Sequence, residues 1–442
     1  MADVLANVLG ITIFVLLIAA SIALHEWGHF ATARRFGAKV TEFMVGFGPL
    51  LWGRRKGEVT YGLKAVPVGG YVRIVGMFPP PQDAPAGMER TGTTGRFAGI
   101  IEQARADALA EVGPDDADRV FYKLPVHQRI IVMLAGPFMN LFLAIGLFAI
   151  ALSGIGLPQA TTTIAEVVPC IVTAQNPTGS TAADGSCPTG GPSPASDADI
   201  RPGDVVVAVN GEAVDDWEAL TGELGAVGPG SAAELALERD GGTTTTTLVV
   251  GEAVFPVVGT DGQATGEVET RAFIGIRPAA EFVPLPLSQV PGYMWDITVR
   301  SVQALVTLPV RLWELTTTLV TGGERDPEGP VSVVGVSRLG GEIAATDQPF
   351  AAKAAAFLGL AASLNLFLFL FNLLPLLPLD GGHVAAASYE GVRRRWARRR
   401  GAPDPGPVDT AKLLPLTYGV AAVLLVSGII VIWADIVAPI SL

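Results

Sequence analysis

Cysteine and histidine are both scarce in this 442-residue chain. There are two cysteines, Cys170 and Cys187, and four histidines, His25, His29, His127 and His383. The cysteines lack any Cys-x-x-Cys spacing, which excludes a cysteine zinc finger. Charged residues make up 16% of the chain and hydrophobic residues 50%, a balance foreign to a soluble protein of this length. The net charge is −12, and no basic stripe with interleaved aromatics occurs. Nucleic acid is therefore not expected as a partner.

Long apolar runs are abundant instead. Four approach or exceed the roughly 20 residues that a spanning helix needs. They cover Val4 to Leu24, Ile130 to Leu152, Ala354 to Leu374 and Leu413 to Val437. The first differs from a signal peptide: no basic stretch precedes it, and no small-residue cleavage site follows. Arg34, Arg35, Arg54, Arg55 and Lys56 follow span one, and Arg393, Arg394, Arg395, Arg398, Arg399 and Arg400 separate spans three and four. Basic loops stay cytoplasmic, so both termini and the segment 158–348 are expected outside. A reporter fused at residue 220 that reads as cytoplasmic would refute this.

On the cytoplasmic side, Leu50–Arg54, Val59–Ala65 and Gly69–Ile74 have strand character, with a turn at Lys56-Gly57. Residues 79–119 are expected to form a mobile loop with one short helix, Gly99–Glu111. The external segment opens with a strand, Thr161–Val168, followed by a Gly/Ser/Pro/Thr-rich loop at 173–199. A turn at Asp199–Asp204, a strand at Val205–Val209 and an Asn210-Gly211 turn come next. A short helix (Val214–Leu224) and strands at Ala233–Glu238 and Thr244–Val250 complete an α+β unit, closed by Phe273–Ile276. Gly292–Thr321 is amphipathic, carries Trp295 and Trp313, and suits the membrane surface.

His25-Glu26-Trp27-Gly28-His29 is a His-Glu-x-x-His motif. On a helix, positions i and i+4 share a face, so both imidazoles reach one metal. Zinc accepts neutral imidazole nitrogen, and Glu26 is placed to act as general base on an activated water. The motif ends an apolar helix, where ionisable residues are costly and functional by default. Two histidines leave a catalytic zinc one ligand short. Asp380, in Asn372-Leu373-Leu374-Pro375-Leu376-Leu377-Pro378-Leu379-Asp380-Gly381-Gly382-His383, is the candidate third ligand. His25 and Asp380 each lie about 20 residues into a span that enters from outside, roughly 30 Å deep at 1.5 Å per residue. The alternative for Asp380 is a helix cap. His383 is either a ligand, a supporting group or an interfacial side chain, and His127 is interfacial. Asn140, Asn365 and Asn372 lie within apolar spans. Each either bonds between helices or, for Asn140 and Asn372, holds substrate backbone or an oxyanion.

Together these motifs resemble the site-2 proteases, the intramembrane zinc metalloproteases, and within them the bacterial regulator-of-sigma-E protease branch. His25-Glu26-x-x-His29 resembles the family zinc helix, and Asn372-x-x-Pro375 with Leu379-Asp380-Gly381 its second signature. Val66-Pro67-Val68-Gly69-Gly70-Tyr71-Val72 is similar to its membrane-associated β-loop. Arg129–Asn140 is similar to its second span, and Gly329-Pro330-Val331 to the motif before its third. The unit at 161–282, with Arg201-Pro202-Gly203-Asp204, is similar to a PDZ domain.

The resemblance implies a polytopic α-helical membrane protein with four transmembrane helices. A cytoplasmic membrane-associated β-loop and one extracytoplasmic PDZ-like α+β domain complete it. The chain then divides into a first span with the zinc motif (1–33), the cytoplasmic β-loop and mobile loop (34–125) and a second span (126–157). The PDZ-like domain (158–282) and an amphipathic juxtamembrane segment (283–350) follow outside. The third span with the aspartate motif (351–390), a basic cytoplasmic loop (391–411) and the fourth span (412–442) complete it.

The implied activity is zinc-dependent hydrolysis of peptide bonds within transmembrane segments, with one Zn2+ per chain. The implied partners are the lipid bilayer, single-span substrates such as anti-sigma factors or remnant signal peptides, and an upstream site-1 protease that clips the same substrate outside. Substrate backbone is expected near Asn140, Asn372, Gly69, Gly70 and Tyr71, with Gly69–Ile74 adding an unwound segment as an extra strand. The PDZ-like domain is expected to bind a newly made C-terminus or to act as a size filter. Cys170 and Cys187 both fall outside in this topology, where a disulfide between them is compatible with the compartment. The competing functions are a PDZ-presenting membrane scaffold, which has no need of Glu26, and a metal transporter, which requires ligands along a path.

Overall fold

The computed structural model describes residues 2–79, 103, 110, 112–113, 116–172, 179–182, 185–187, 191–258, 264–323, 325–327 and 329–440. Most of the expected helix Gly99–Glu111, and much of the 173–199 loop, lie outside the described residues. Two compact units emerge, 1–155 with 285–442, and 156–284.

Among the described residues of the first unit, four helices are long and apolar enough to cross a membrane. They are α1 (Ala2–Arg35), α2 (Val126–Ala149, extended by a π-helical turn, Ile150–Ile155), α7 (Phe350–Asn372) and α9 (Leu414–Val437). α1 runs unbroken through the histidine motif to its closing arginines. It meets α2 where a Cβ on Gly28 would overlap the Ala135 carbonyl oxygen. Helix association within a bilayer lacks a hydrophobic drive, so close backbone approach at small residues supplies the contact. Phe14 and Ile18 of α1 pack with Ala361 and Phe357 of α7. The Asn365 amide donates to the Ser21 hydroxyl (3.0 Å) and the Ala361 carbonyl (2.9 Å), the interhelical role expected of it.

Two further helices lie between residues 285 and 349, α5 (Val290–Thr321) and α6 (Val333–Ala345). α5 leaves Trp295, Val299, Val302, Val306, Val310 and Trp313 exposed. Their three- and four-residue spacing puts them on one face. α6 abuts α1, where a Cβ on Gly10 would meet the Gly340 carbonyl oxygen at 2.6 Å. Its N-terminus is held by Asp435 of α9, whose Oδ2 accepts from Ser332 N (2.7 Å) and Gly335 N (3.2 Å). Arg325 donates to the other oxygen of that carboxylate (2.7 Å) and to the carbonyls of Pro330 (2.7 Å) and Ala438 (2.9 Å).

After α7 the chain turns through Pro375 and Pro378, and α8 spans Asp380–Arg399. The 391–411 segment, expected as a loop, is thus helical as far as Arg399. Arginine and alanine are good helix formers, and a basic run signals cytoplasmic placement without excluding a helix. Glu390, fully buried on α8, pairs with Arg129 of α2 and accepts from Val408 N (2.9 Å).

The segment after α1 forms two long bent strands, β1 (Val40–Lys56) and β2 (Val59–Ile74). Leu50 to Lys56 pair back along Lys64 to Val59 as a hairpin. Val40–Val45 pair on one side with Gly70–Ile74 in reverse order. On the other side, Glu42, Phe43, Met44 and Val45 pair with Thr60, Tyr61, Gly62 and Leu63 in the same order. The sheet therefore has four segments, with Val40–Val45 inside and Gly70–Ile74 at an edge. Gly46, Gly48 and Gly69 bend the strands with φ of 89°, 86° and 96°, a region open to glycine at little cost.

The second unit has a sheet of strand order β10-β3-β4-β6-β7, with β5 paired to β4, and a separate hairpin β8–β9. The strands are β3 (Leu157–Val167), β4 (Val205–Val209), β5 (Glu212–Ala213), β6 (Ala232–Arg239), β7 (Gly242–Val249), β8 (Gly251–Val258), β9 (Ala264–Phe273) and β10 (Ile276–Val283). The β8–β9 hairpin has no counterpart among the sequence-based strands. Helix α4 (Trp217–Val227) is capped by the Asp216 carboxylate on Ala219 N (2.7 Å), and its Leu220 and Leu224 join Val206, Leu235 and Leu237 in the core. A short helix, α3 (Pro194–Asp197), follows the described part of the Gly/Ser/Pro-rich loop, and Cys170 and Cys187 form a disulfide.

Asp204, 2% exposed, accepts from Arg239 Nε and Nη2 (2.7 Å each) and from Arg201 N (2.8 Å). The Arg239 guanidinium holds its carboxyl below the usual carboxylate value. A depressed folded-state pKa stabilises above the unfolded value, and that stabilisation is lost as pH falls through the folded one. Asp204→Asn is therefore expected to destabilise this unit at neutral pH by about 1.5–3 kcal/mol. The deficit should vanish below the folded-state pKa, as read by hydrogen exchange of residues 200–240 in the intact protein. An equal deficit at all pH values would contradict the pairing.

Candidate metal centre

α1 presents His25 and His29 one helical turn apart, with Glu26 next to His25, and α8 begins with Asp380. His25 Nε2 lies 3.2 Å from His29 Nε2 and 3.2 Å from Asp380 Oδ2, and His29 Nε2 lies 3.3 Å from that oxygen. Three ligand atoms about 2.0–2.1 Å from a zinc ion in a tetrahedral shell would be separated by about 3.3–3.4 Å. The triangle thus has the dimensions of one face of that tetrahedron. Asp380 Oδ2 is buried with no hydrogen-bond donor, an orphan that a cation resolves. Leu379, not Asp380, occupies the cap position of α8 and makes no capping bond, so the helix-cap role for Asp380 is not realised. Among the described residues, this is the one trio of ligating groups able to share a metal, and a transporter path of successive sites is absent from them.

Each candidate ligand is backed by local structure. His29 Nδ1 is 2.8 Å from the Val132 carbonyl oxygen. A carbonyl only accepts, so His29 carries its proton on Nδ1 and leaves Nε2 for the metal. The His29 ring fits because position 136 is glycine: a Cβ there would overlap Nε2. Asp380 is delivered by a tight fold-back, in which a Cβ on Gly381 would overlap the Leu374 carbonyl oxygen and one on Gly382 would meet Leu377 N at 2.5 Å. Neither the Val132 carbonyl nor Gly136 was singled out from sequence. A main-chain acceptor carries no side-chain signal, and a glycine in a span reads as helix packing.

The remaining candidates divide into two groups. A Cβ on Gly70 would meet Glu26 Cγ at 3.0 Å, and the backbone of Val72 interacts with the Glu26 carboxyl. The edge segment of β2 therefore lies against the general-base candidate. Gly69 supplies the bend and Tyr71 is fixed on the sheet, its hydroxyl donating to Glu42 Oε2 (2.8 Å) and accepting from Lys64 Nζ (3.0 Å). Asn140, 1% exposed, reaches His25, its Nδ2 3.3 Å from His25 Nδ1. Asn372 ends α7 with its amide nitrogen donating to the Leu368 carbonyl (3.0 Å). His383 lines a small cavity with Arg129, Met133 and Glu390 and is not one of the three grouped ligating residues. His127 is exposed in the first turn of α2.

The family model of peptidase family M50 matches residues 13–403. The zinc metalloprotease Rip1 of Mycobacterium tuberculosis (strain ATCC 25618 / H37Rv) is 37% identical, over 98% of this chain and 99% of its own. Rip1 of Mycolicibacterium smegmatis is 33% identical over 98% of both chains. The zinc metalloprotease RasP of Shouchella clausii is 24% identical over 96% of this chain and 97% of its own. A zinc-sized ligand triangle on four-span architecture, matched along nearly its whole length by these enzymes, makes the chain a zinc metalloprotease that belongs to peptidase family M50, the site-2 proteases.

Proposed function

We propose that this enzyme hydrolyses peptide bonds inside transmembrane segments of single-span proteins already clipped outside the membrane, such as anti-sigma factors or remnant signal peptides. The carrying observation is that the ligand triangle joins a helix long and apolar enough to span a bilayer to the residue that follows such a helix and its proline-broken turn. His25, His29 and Asp380 hold the zinc. When bound, zinc supplies a Lewis acid that activates water and polarises the scissile carbonyl. Glu26 takes the proton from the attacking water and delivers it to the leaving amine. A transmembrane helix satisfies its own backbone and must be unwound before attack. The Gly70–Ile74 edge, turned to Glu26 at Val72, receives the unwound backbone by strand addition. Gly69, Gly70 and Tyr71 shape that edge, and Asn372 stands at the end of α7 as a further substrate contact.

The orientation proposed puts both termini and residues 156–284 outside, the latter as the PDZ-like domain. The Cys170–Cys187 disulfide supports that side, since disulfides persist in oxidising compartments. The arginines closing α1 and α8 support the cytoplasmic placement of those ends. The exposed Trp295–Trp313 face of α5 suits the outer interface of the bilayer.

The test is cleavage of a model transmembrane substrate in detergent, with zinc content recorded. Glu26→Gln should keep zinc and lose about 10²–10⁴-fold in rate. Val72→Pro, which removes an edge donor, should keep zinc and lose at least about ten-fold in rate. A zinc-loaded Glu26→Gln enzyme that cuts at the wild-type rate sinks the general-base assignment. Unchanged cleavage by Val72→Pro sinks strand addition alone.

A further inference from the structure

His25 and His29 meet the metal position through the same atom, yet α2 supports them differently. Val132 offers His29 Nδ1 an oxygen. Asn140, two helical turns further along α2, faces His25 Nδ1 with its amide nitrogen at 3.3 Å, while its Oδ1 is buried without a partner. An amide N–H directed at Nδ1 requires the His25 proton to sit on Nε2, the atom aimed at Asp380 and His29. A ligand nitrogen must present a lone pair, so the zinc-loaded site needs the opposite tautomer, with the proton on Nδ1 and an acceptor facing it. The two ends of a primary amide are nearly isosteric. Turning the Asn140 amide by half a revolution places Oδ1 where Nδ2 stands and gives the orphaned oxygen a donor.

We propose that Asn140 is a positioning residue for the metal centre: its side-chain oxygen accepts the His25 Nδ1–H and fixes the tautomer that binds zinc. Together with the Val132 carbonyl, this makes α2 the helix that orients both histidines of α1. Asn140 then serves the metal and not the substrate backbone, in contrast to the expectation from sequence. It is too enclosed to touch a substrate, being 1% exposed.

Zinc affinity, measured by competition with a chelator on the full-length protein in detergent, tests this without any substrate. N140D keeps an acceptor of the same size and cannot donate; it should bind zinc within about three-fold of wild type. N140L keeps the bulk and loses the acceptor; it should bind about 10–100-fold more weakly, with an unchanged melting temperature for the metal-free protein. N140M replaces N140L if the branched side chain prevents folding. Wild-type affinity in N140L or N140M overturns the proposal, as does N140D binding as weakly as they do. Unchanged affinity with lost cleavage at saturating zinc also overturns it, returning Asn140 to the substrate. The proteolytic reading could fail with the affinity pattern intact, so the two failures are separable.

Discussion

Replacing Gly136 by alanine is expected to empty the metal centre. The added methyl would overlap His29 Nε2, one of the three proposed ligand atoms. Two relaxations are open, and both are damaging. The imidazole can swing aside, which breaks its 2.8 Å bond to the Val132 carbonyl and takes Nε2 out of the triangle. Or α2 can retreat from α1, but the neighbouring crossing, where Gly28 lies against Ala135, is already at backbone contact and holds the helices in register. Overpacking of this kind costs about 1–3 kcal/mol in a close-packed interior. That is small beside the loss of one ligand from a three-ligand site. Zinc bound after gel filtration should fall to less than about a tenth of wild type while helical circular dichroism is kept, and cleavage should fall with it. Full zinc occupancy in the alanine variant would show that His29 does not depend on this gap.

Asp435→Ala is expected to give the largest loss of stability. The Asp435 and Arg325 side chains are 2% and 5% exposed, and the carboxylate serves both the guanidinium and the N-terminus of α6. Removing it takes the carboxylate from a buried cation and leaves the Ser332 main-chain N–H without its acceptor. Breaking a buried pair from one side costs about 3–5 kcal/mol. The loss should concentrate where α6 begins: amide exchange at Ser332–Gly335 should rise most, ahead of α2 and α7. Arg325→Leu in the same background should recover part of the loss, because an apolar side chain needs no partner. An Asp435→Ala protein with wild-type denaturation and exchange would refute the role.

The three proposed metal ligands could be picked out in the sequence because each sits in a local pattern. His25 and His29 declare one helical face, and Asp380 follows two prolines that end a span. What supports them was not legible. The Val132 carbonyl belongs to a residue chosen for its apolar side chain. The pairing of Val40–Val45 with both ends of β2 is long-range, and Gly46 and Gly48 interrupt the alternation that marks a strand. The arginines of α8 form a basic run with no apolar period, so the run carries no local helix signal although it is helical as far as Arg399. Asp435 lies near the end of an apolar run, and its partner Arg325 is 110 residues away, so no local pattern joins the two. In the second unit, the Asn210-Gly211 turn was legible from two adjacent residues, with φ of 50° and 87°. The β8–β9 hairpin lacked such a signature, and its described strands are joined through residues outside the described set.

The bond between Cys170 and Cys187 also carries information about the history of each molecule. Thiols stay reduced in the cytosol and pair only after export. In the proposed orientation, a chain with both sulfurs open to alkylation has not yet delivered Cys170 and Cys187 across the membrane. A chain that resists alkylation until reduced has done so. The ratio of the two in growing cells counts the queue at the export machinery, without any tag or fusion on the protein.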